Sequence, residues 1–212
     1  MTIENRKERE KEFRRQSIIQ AAEKVFSVKG FESTTMDDIA LEAEFTKRTV
    51  YSYYPSKGEL YAAVILKAMK LLVSLFEKAA SESKDGYERV FKIGETYTGF
   101  SQNYPLEFKI LTFRKPSLSE APDSPCVAEV FEENKNMMKL IIRCFEEGVK
   151  DGSIRGDIDP VRSALYVVSV TTGMLELLSQ SGNTLGKAFG VEAEEFVSYS
   201  LKMIGNSFKN NA

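Results

Sequence analysis

The sequence predicts an all-α chain, an N-terminal three-helix helix-turn-helix domain followed by a larger helical bundle, about nine helices in total. Three observations carry this. Apolar residues recur three and four positions apart along almost the whole chain. Convincing strand-type alternation is missing. Capping residues, glycines and prolines fall where the helical periodicity breaks.

The first helix is expected from about Lys7 to Lys29, where Ile18, Ala22, Val25 and Phe26 share one face and Gly30 supplies the stop. Thr35 and Asp38 have the form of a capping box, and Met36, Ile39, Ala40 and Ala43 line the inner side of a helix of about two turns. The chain must then turn at Glu44 and Phe45, because Thr46 is a good N-cap for another short helix that ends at Pro55. Two short helices joined by so tight a turn spell helix-turn-helix. Ser56 and Glu59 form a second capping box, and Leu60, Val64, Ala68, Leu71, Leu75 and Ala79 sustain a long helix to about Lys84. Asp85 and Gly86 end it. Tyr87 to Asn103 makes a fifth helix and Pro105 opens a short sixth. The proline-rich "RKPSLSEAPDSP" reads as a surface loop before Ser124 and Pro125 cap a seventh helix, closed by "KDG" near residue 151. Asp159 and Pro160 start an eighth, apolar on nearly all sides, and "SGNTLGKAFG" leads to a ninth from about Glu192 to Phe208. The boundary between domains is expected near Pro55, giving residues 1–55 and 56–212.

A chain of 212 residues can bury a sizeable core. With no histidine and only Cys126 and Cys144, it is poorly supplied for a disulfide framework, a zinc site or a His-based triad, and no cofactor or metal is expected. The N-terminus is charged where a signal peptide needs an apolar run, and no apolar run is expected to reach the ~20 residues of a membrane span. A cytoplasmic protein without a membrane partner is the expectation.

Against a slightly acidic whole, 29 basic and 31 acidic residues, one stretch reverses sign. Phe45 to Gly58 holds Lys47, Arg48 and Lys57 and no acid, net +3. A helix-turn-helix places its second helix in the DNA major groove, with N-terminal residues at base edges and flanking groups on phosphates. Thr46 to Tyr54 has that inventory: Lys47, Arg48 and Thr49 in the first turn, Val50 and Tyr54 as an inner anchor, and Tyr51 and Tyr53 with hydroxyls free for phosphates. Lys57 and the amides opening the fourth helix make a second anion site. The bland alternative is a solvated basic helix on an ordinary bundle. In the first helix Arg6, Lys7, Arg9, Lys11, Arg14 and Arg15 are interleaved with Glu4, Glu8, Glu10 and Glu12, which favours a solvated face over a DNA-binding arm.

The run "TTMDDIALEAEFTKRTVYSYYPSKGEL" resembles the signature of TetR-family transcriptional repressors, strongly over residues 10–65 and beyond that only as a helical layout of suitable length. The resemblance implies that Thr34 and Thr35 meet phosphates, that Lys47, Arg48 and Thr49 read bases, and that Tyr51, Tyr53 and Lys57 clamp the backbone. It also implies a homodimer on a double-stranded operator with inverted-repeat half-sites, released by a small-molecule inducer. Glu44 stands where the family usually has glycine, so a positive φ in the turn would cost ~1 kcal/mol. Phe45 replaces a smaller aliphatic residue, and Tyr54 the usual Phe.

Farther on, Phe91, Tyr97, Phe100, Tyr104, Phe108, Phe113 and Phe131 concentrate aromatics on the middle helices, as a ligand pocket or simple core packing would. On the eighth helix Leu165, Ser169, Thr172, Glu176 and Gln180 form a mostly polar stripe in which Glu176 is the one charge, either a pocket acid or the solvated edge of an interface. The apolar surface of helices eight and nine points to a dimer through Val161 to Leu178 and Phe196 to Phe208. The competing class is a helical-bundle enzyme or scaffold with an incidental basic helix, yet no Glu-x-x-His motif and no glycine-rich phosphate loop is present.

Overall fold

The computed structural model describes residues 3–112, 124–181 and 184–210. Ten helices lie among them: α1 (Ile3–Ser33), α2 (Met36–Glu42), α3 (Lys47–Tyr53), α4 (Lys57–Ser81), α5 (Gly86–Asn103), α6 (Pro105–Thr112), α7 (Pro125–Asp151), α8 (Pro160–Ser181), α9 (Thr184–Ala188) and α10 (Ala193–Phe208). The chain is all-α, and among the described residues the one extended pairing is a bridge between Ile154 and Lys209. The helix beyond the expected nine is α9, a five-residue turn inside "SGNTLGKAFG". The loop expected in the proline-rich stretch lies mostly outside the described residues. At Ser124 the backbone carbonyl accepts from Val127 and Ala128, whereas the buried hydroxyl has no partner among the described residues and so does not cap α7.

The chain divides into two compact units: Met1–Lys70 with Leu106–Glu133, and Leu71–Pro105 with Asn134–Ala212. In the first, α1 is regular to Lys29 and breaks at Gly30, whose φ of 76° and ψ of 168° are non-helical and fall where a side chain would be strained. Thr34 then donates to the Gly30 carbonyl at 2.6 Å. The core is built from Ile18, Ala22 and Phe26 of α1, Met36, Ile39 and Ala40 of α2, Val50 of α3, and Leu60, Tyr61 and Val64 of α4. Phe26, Phe31 and Tyr61 form a ring cluster with centroids 4.9 to 5.8 Å apart. Two lysines finish the end of α1: Lys109 of α6 donates to the Ser27 carbonyl, and Lys57 donates to Phe31 at 2.9 Å and lies 4.3 Å over its ring. Cations suit a helix C-terminus because its last carbonyls are unpaired and the dipole is negative there.

The turn from α2 to α3 is a Schellman closure. The Phe45 amide donates to Ala40 at 3.0 Å and the Glu44 amide to Leu41 at 3.2 Å. Glu44 sits at φ 57°, the one non-glycine residue with positive φ among those described. The turn therefore takes the left-handed conformation for which glycine is the unstrained choice.

In the second unit, Asp85 caps α5 by accepting from Glu88 at 2.8 Å, and Asp159 caps α8 by accepting from Arg162 at 2.7 Å. α5 crosses α7 closely enough that a Cβ on Gly86 would fall 2.2 Å from the Gly148 Cα. Phe100, Ile141, Phe145, Ile154 and Ala164 are fully buried, with Phe208 edge-on to Phe145 at 5.0 Å. Pro160–Gln180 is long and apolar enough to cross a membrane by length and composition, which departs from the expectation that no stretch is. One side of α8 packs within this unit against α5 and α10, and the other leaves Leu165, Tyr166, Val170 and Leu177 exposed.

Replacing Glu44 by glycine removes the positive-φ penalty of ~1 kcal/mol, offset in part by the greater freedom of glycine in the unfolded chain. A small rise in the urea midpoint is expected for Glu44→Gly and a fall for Glu44→Val, both read by circular dichroism.

Candidate nucleic-acid interface

α3 is set by its two ends and one face. Thr46 accepts from the Thr49 amide at 3.1 Å and its hydroxyl lies 2.8 Å from that of Thr49, so the N-cap is closed. Val50 at 0% and Tyr54 at 2% exposure fasten the inner side. The opposite side carries Lys47, Arg48 and Tyr51 exposed, with Thr49 and Tyr53 half-buried. Arg48 has no hydrogen bond or ion pair among the described residues. Lys47 differs: its ammonium is 2.7 Å from Asp37 Oδ2 on α2, and that hydrogen bond raises its pKa above the ordinary lysine value.

The start of α2 is a full capping box. Thr35 accepts from the Asp38 amide, while Asp38 accepts from the Thr35 amide at 3.0 Å and the Thr35 hydroxyl at 2.8 Å. Lys29 adds an ion pair at 2.6 Å, and with the Thr35 bonds it holds the Asp38 carboxyl down at about 2.

The phenol of Tyr54 is buried without a partner among the described residues, with the Arg15 guanidinium 5.4 Å from the ring centroid. Burial, the main cause, pushes it up to about 12, so it stays neutral. Along the exposed start of α1, Arg14 pairs with Glu10 at 2.6 Å and Gln16 donates to Glu12 at 2.8 Å, as on a solvated helix.

The structure thus gathers Thr35, Thr46, Lys47, Arg48, Thr49 and Tyr51 on the two short helices with side chains at or near the surface. It commits two other candidates elsewhere. Thr34 is 1% exposed and bonded to Gly30, and Lys57 is turned onto the carbonyls of Phe31 and Glu32. Lys57 is half-buried, and these carbonyls engage part of its donor capacity. The residue that sequence reasoning passed over is Asp37, ten positions before Lys47 and on another helix.

Among the pocket candidates, Phe100 is buried and stacks on Tyr104 at 5.4 Å. Tyr97 meets Phe76 edge-on at 6.0 Å and lies 3.3 Å from the Thr172 hydroxyl. Phe91 stacks on Tyr87 and sits where a Cβ on Gly205 would come within 2.9 Å. Glu176, one turn after Thr172, is half-buried with no partner among the described residues. Phe131 and Phe108 belong to the first unit, Phe131 exposed and Phe108 buried, and Phe113 lies outside the described residues. Among the described residues, no group of three or more acidic, cysteine or histidine side chains could hold a metal ion.

A capped recognition helix fastened by its inner face, with cations at its head, defines a helix-turn-helix DNA-binding protein. Residues 18–64 match the model for bacterial regulatory proteins of the tetR family. The chain is 25% identical over 163 residues to the uncharacterized HTH-type transcriptional regulator YhgD of Bacillus subtilis, covering 76% of this chain and 82% of that one. Its fold is similar to FadR of Bacillus subtilis in complex with stearoyl-CoA, with TM-score 0.74, 14% identity, and 89% and 96% of the two chains covered. It is also similar to AibR in complex with isovaleryl coenzyme A and operator DNA, with TM-score 0.70, 18% identity, and 90% and 97% covered. The family match over residues 18–64 and the shared fold together support a TetR-family transcriptional regulator.

Two measurements check the local assignments. Lys57→Met keeps the stem but removes the donor, so it should lower stability by roughly 1 to 2 kcal/mol in urea unfolding. It should leave the salt dependence of DNA binding unchanged, whereas loss of a phosphate contact would reduce the slope by about one. Because the Asp38 pKa in the folded state lies below its ordinary 3.8, its contribution is present above pH 3.8 and lost as pH falls toward 2. Asp38→Asn should therefore flatten the acid limb of the stability curve between those values.

Proposed function

We propose that the chain is a ligand-released repressor, a homodimer that grips an inverted-repeat operator through α3 of each copy and lets go when a small amphipathic molecule binds. The observation that carries the DNA part is Arg48: an exposed guanidinium without a partner among the described residues, in the first turn of a helix locked from behind by Val50 and Tyr54. Arg is the side chain best suited to two-pronged contact with guanine. Lys47, Thr49 and Tyr51 flank it, Tyr53 stands at the end of the helix, and Thr35 and Thr46 sit at the helix starts for phosphates. Residues 1–55 form the DNA-binding domain in this reading, and residues 56–212 carry ligand binding and dimerisation.

The dimer is supported by Leu165, Tyr166, Val170 and Leu177 on α8 and Phe196, Tyr199 and Met203 on α10, each more than a third exposed. A second copy related by a two-fold axis would cover both faces and set two half-sites at least one DNA turn apart. The ligand reading rests on Tyr97, Phe100, Tyr104, Thr172 and Glu176. A half-buried carboxylate without a partner among the described residues suits a cationic or donor-bearing amphipath. The acyl-CoA ligands of FadR and AibR favour an acyl compound as the second reading. In either case the protein works in the cytoplasm, beside the chromosome, and has no catalytic role.

Arg48→Ala should cost ~1 to 3 kcal/mol of operator affinity and relax specificity. Undiminished affinity of Lys47→Ala with Arg48→Ala, in a folded protein, would sink the assignment. Sedimentation at micromolar concentration without DNA should give a dimer, and a monomer contradicts the reading. Calorimetry with lipophilic amines and with acyl-CoAs, on the wild type and Glu176→Gln, separates the ligand classes: an amine preference lost in the variant supports Glu176 as the pocket acid, while unaltered acyl-CoA binding assigns the pocket to acyl compounds.

A further inference from the structure

The two acids that open α2 are used differently. Asp38 closes the capping box and pairs with Lys29. The Asp37 carboxylate makes one ion pair among the described residues, at 2.7 Å to Lys47, the first residue of α3. Both partners are more than half exposed, 52% for Lys47 and 64% for Asp37. An exposed pair of this kind adds little to stability, and α2 already has its cap from Thr35 and Asp38, so the fold does not need Asp37 to be acidic. Yet the pair sets a carboxylate at the head of the helix that approaches DNA, where it works against phosphate binding.

Resting on the reading that α3 enters the groove, we propose that Asp37 is a specificity-determining residue: it competes with DNA phosphates for the Lys47 ammonium and withholds it from duplexes that do not fit. Non-specific binding consists almost entirely of cations replacing counterions on phosphates. A lysine that stays with Asp37 neutralises no phosphate, so no counterion leaves the DNA and a poorly fitting duplex gains nothing from it. On a fitting duplex, base contacts from Arg48 and Thr49 seat α3 deeply enough that Lys47 meets acceptors at close range and leaves Asp37. The clasp thus weakens binding in general more than binding to the right site. The neighbouring Arg48, with no partner among the described residues, is not restrained in this way.

The test uses the full-length protein, a duplex selected from a random pool by the wild type, and a scrambled duplex of equal length, with affinities measured across a salt series. Asp37→Asn should bind the scrambled duplex about 5-fold more tightly at 0.15 M salt, with a slope steeper by about 0.9, one additional phosphate contact. The selected duplex should gain less and keep its slope. Adding Lys47→Ala to Asp37→Asn should abolish the gain on the scrambled duplex. Equal steepening on both duplexes, no change on either, or a gain that survives Lys47→Ala overturns the clasp. Asp37→Ser, checked by thermal melting, is the second variant should Asp37→Asn fold poorly. A pool that yields no preferred duplex, or an Arg48→Ala protein that selects the same one equally well, overturns the reading of α3 and the clasp with it.

Discussion

A seven-residue helix has no stability of its own in water, because the cost of nucleation is not recovered over so few bonds. α3 exists because Val50 and Tyr54 are buried against the rest of its unit, and every surface feature of the interface depends on that burial. With the inner face fixed and Thr46 closing the N-cap, the directions of Lys47, Arg48 and Tyr51 are set by helix geometry alone. The Schellman turn at Glu44 decides where α3 starts, and its positive φ holds that geometry at the expense of backbone strain.

Elsewhere in the same unit, charges serve packing. The end of α1 would otherwise leave its last carbonyls unpaired. Lys57 and Lys109 reach them from two other helices, and Lys67 pairs with the buried Glu23 at 2.6 Å. Desolvation raises the Glu23 pKa and the Lys67 ammonium opposes the rise. Lysines near a helix-turn-helix are thus of two kinds, and their acceptors tell them apart: Lys57 and Lys109 finish a helix, while Lys47 is exposed and answers to Asp37.

The second unit presents another balance. α8 buries one side against α5 and α10 and leaves an apolar side uncovered, as expected of a helix with a further partner. On its polar stripe, Thr172 reaches Tyr97 of α5 while Glu176 has no partner among the described residues. A helix of this composition meets the length and apolarity of a membrane span. One side of it packs within a helical unit whose fold is shared with TetR-like structures.

The sequence by itself determined what neighbours in the chain can decide. Apolar periodicity set the helices, Thr35 with Asp38 and Ser56 with Glu59 set two of their starts, Gly30 set a break, and the order of these signals carried the family resemblance. That Glu44 stands where the family usually has glycine was legible through the resemblance, whereas its positive φ belongs to the folded turn. Tertiary structure decided the partners of the charges: Asp37 with Lys47, Lys57 with the carbonyls of Phe31 and Glu32, and Thr34 with Gly30. Residue type records that a lysine can donate, but not which acceptor stands within 3 Å. Except for the local Thr34 bond, that choice is made between segments 10 to 26 residues apart, where only the packed fold fixes distance.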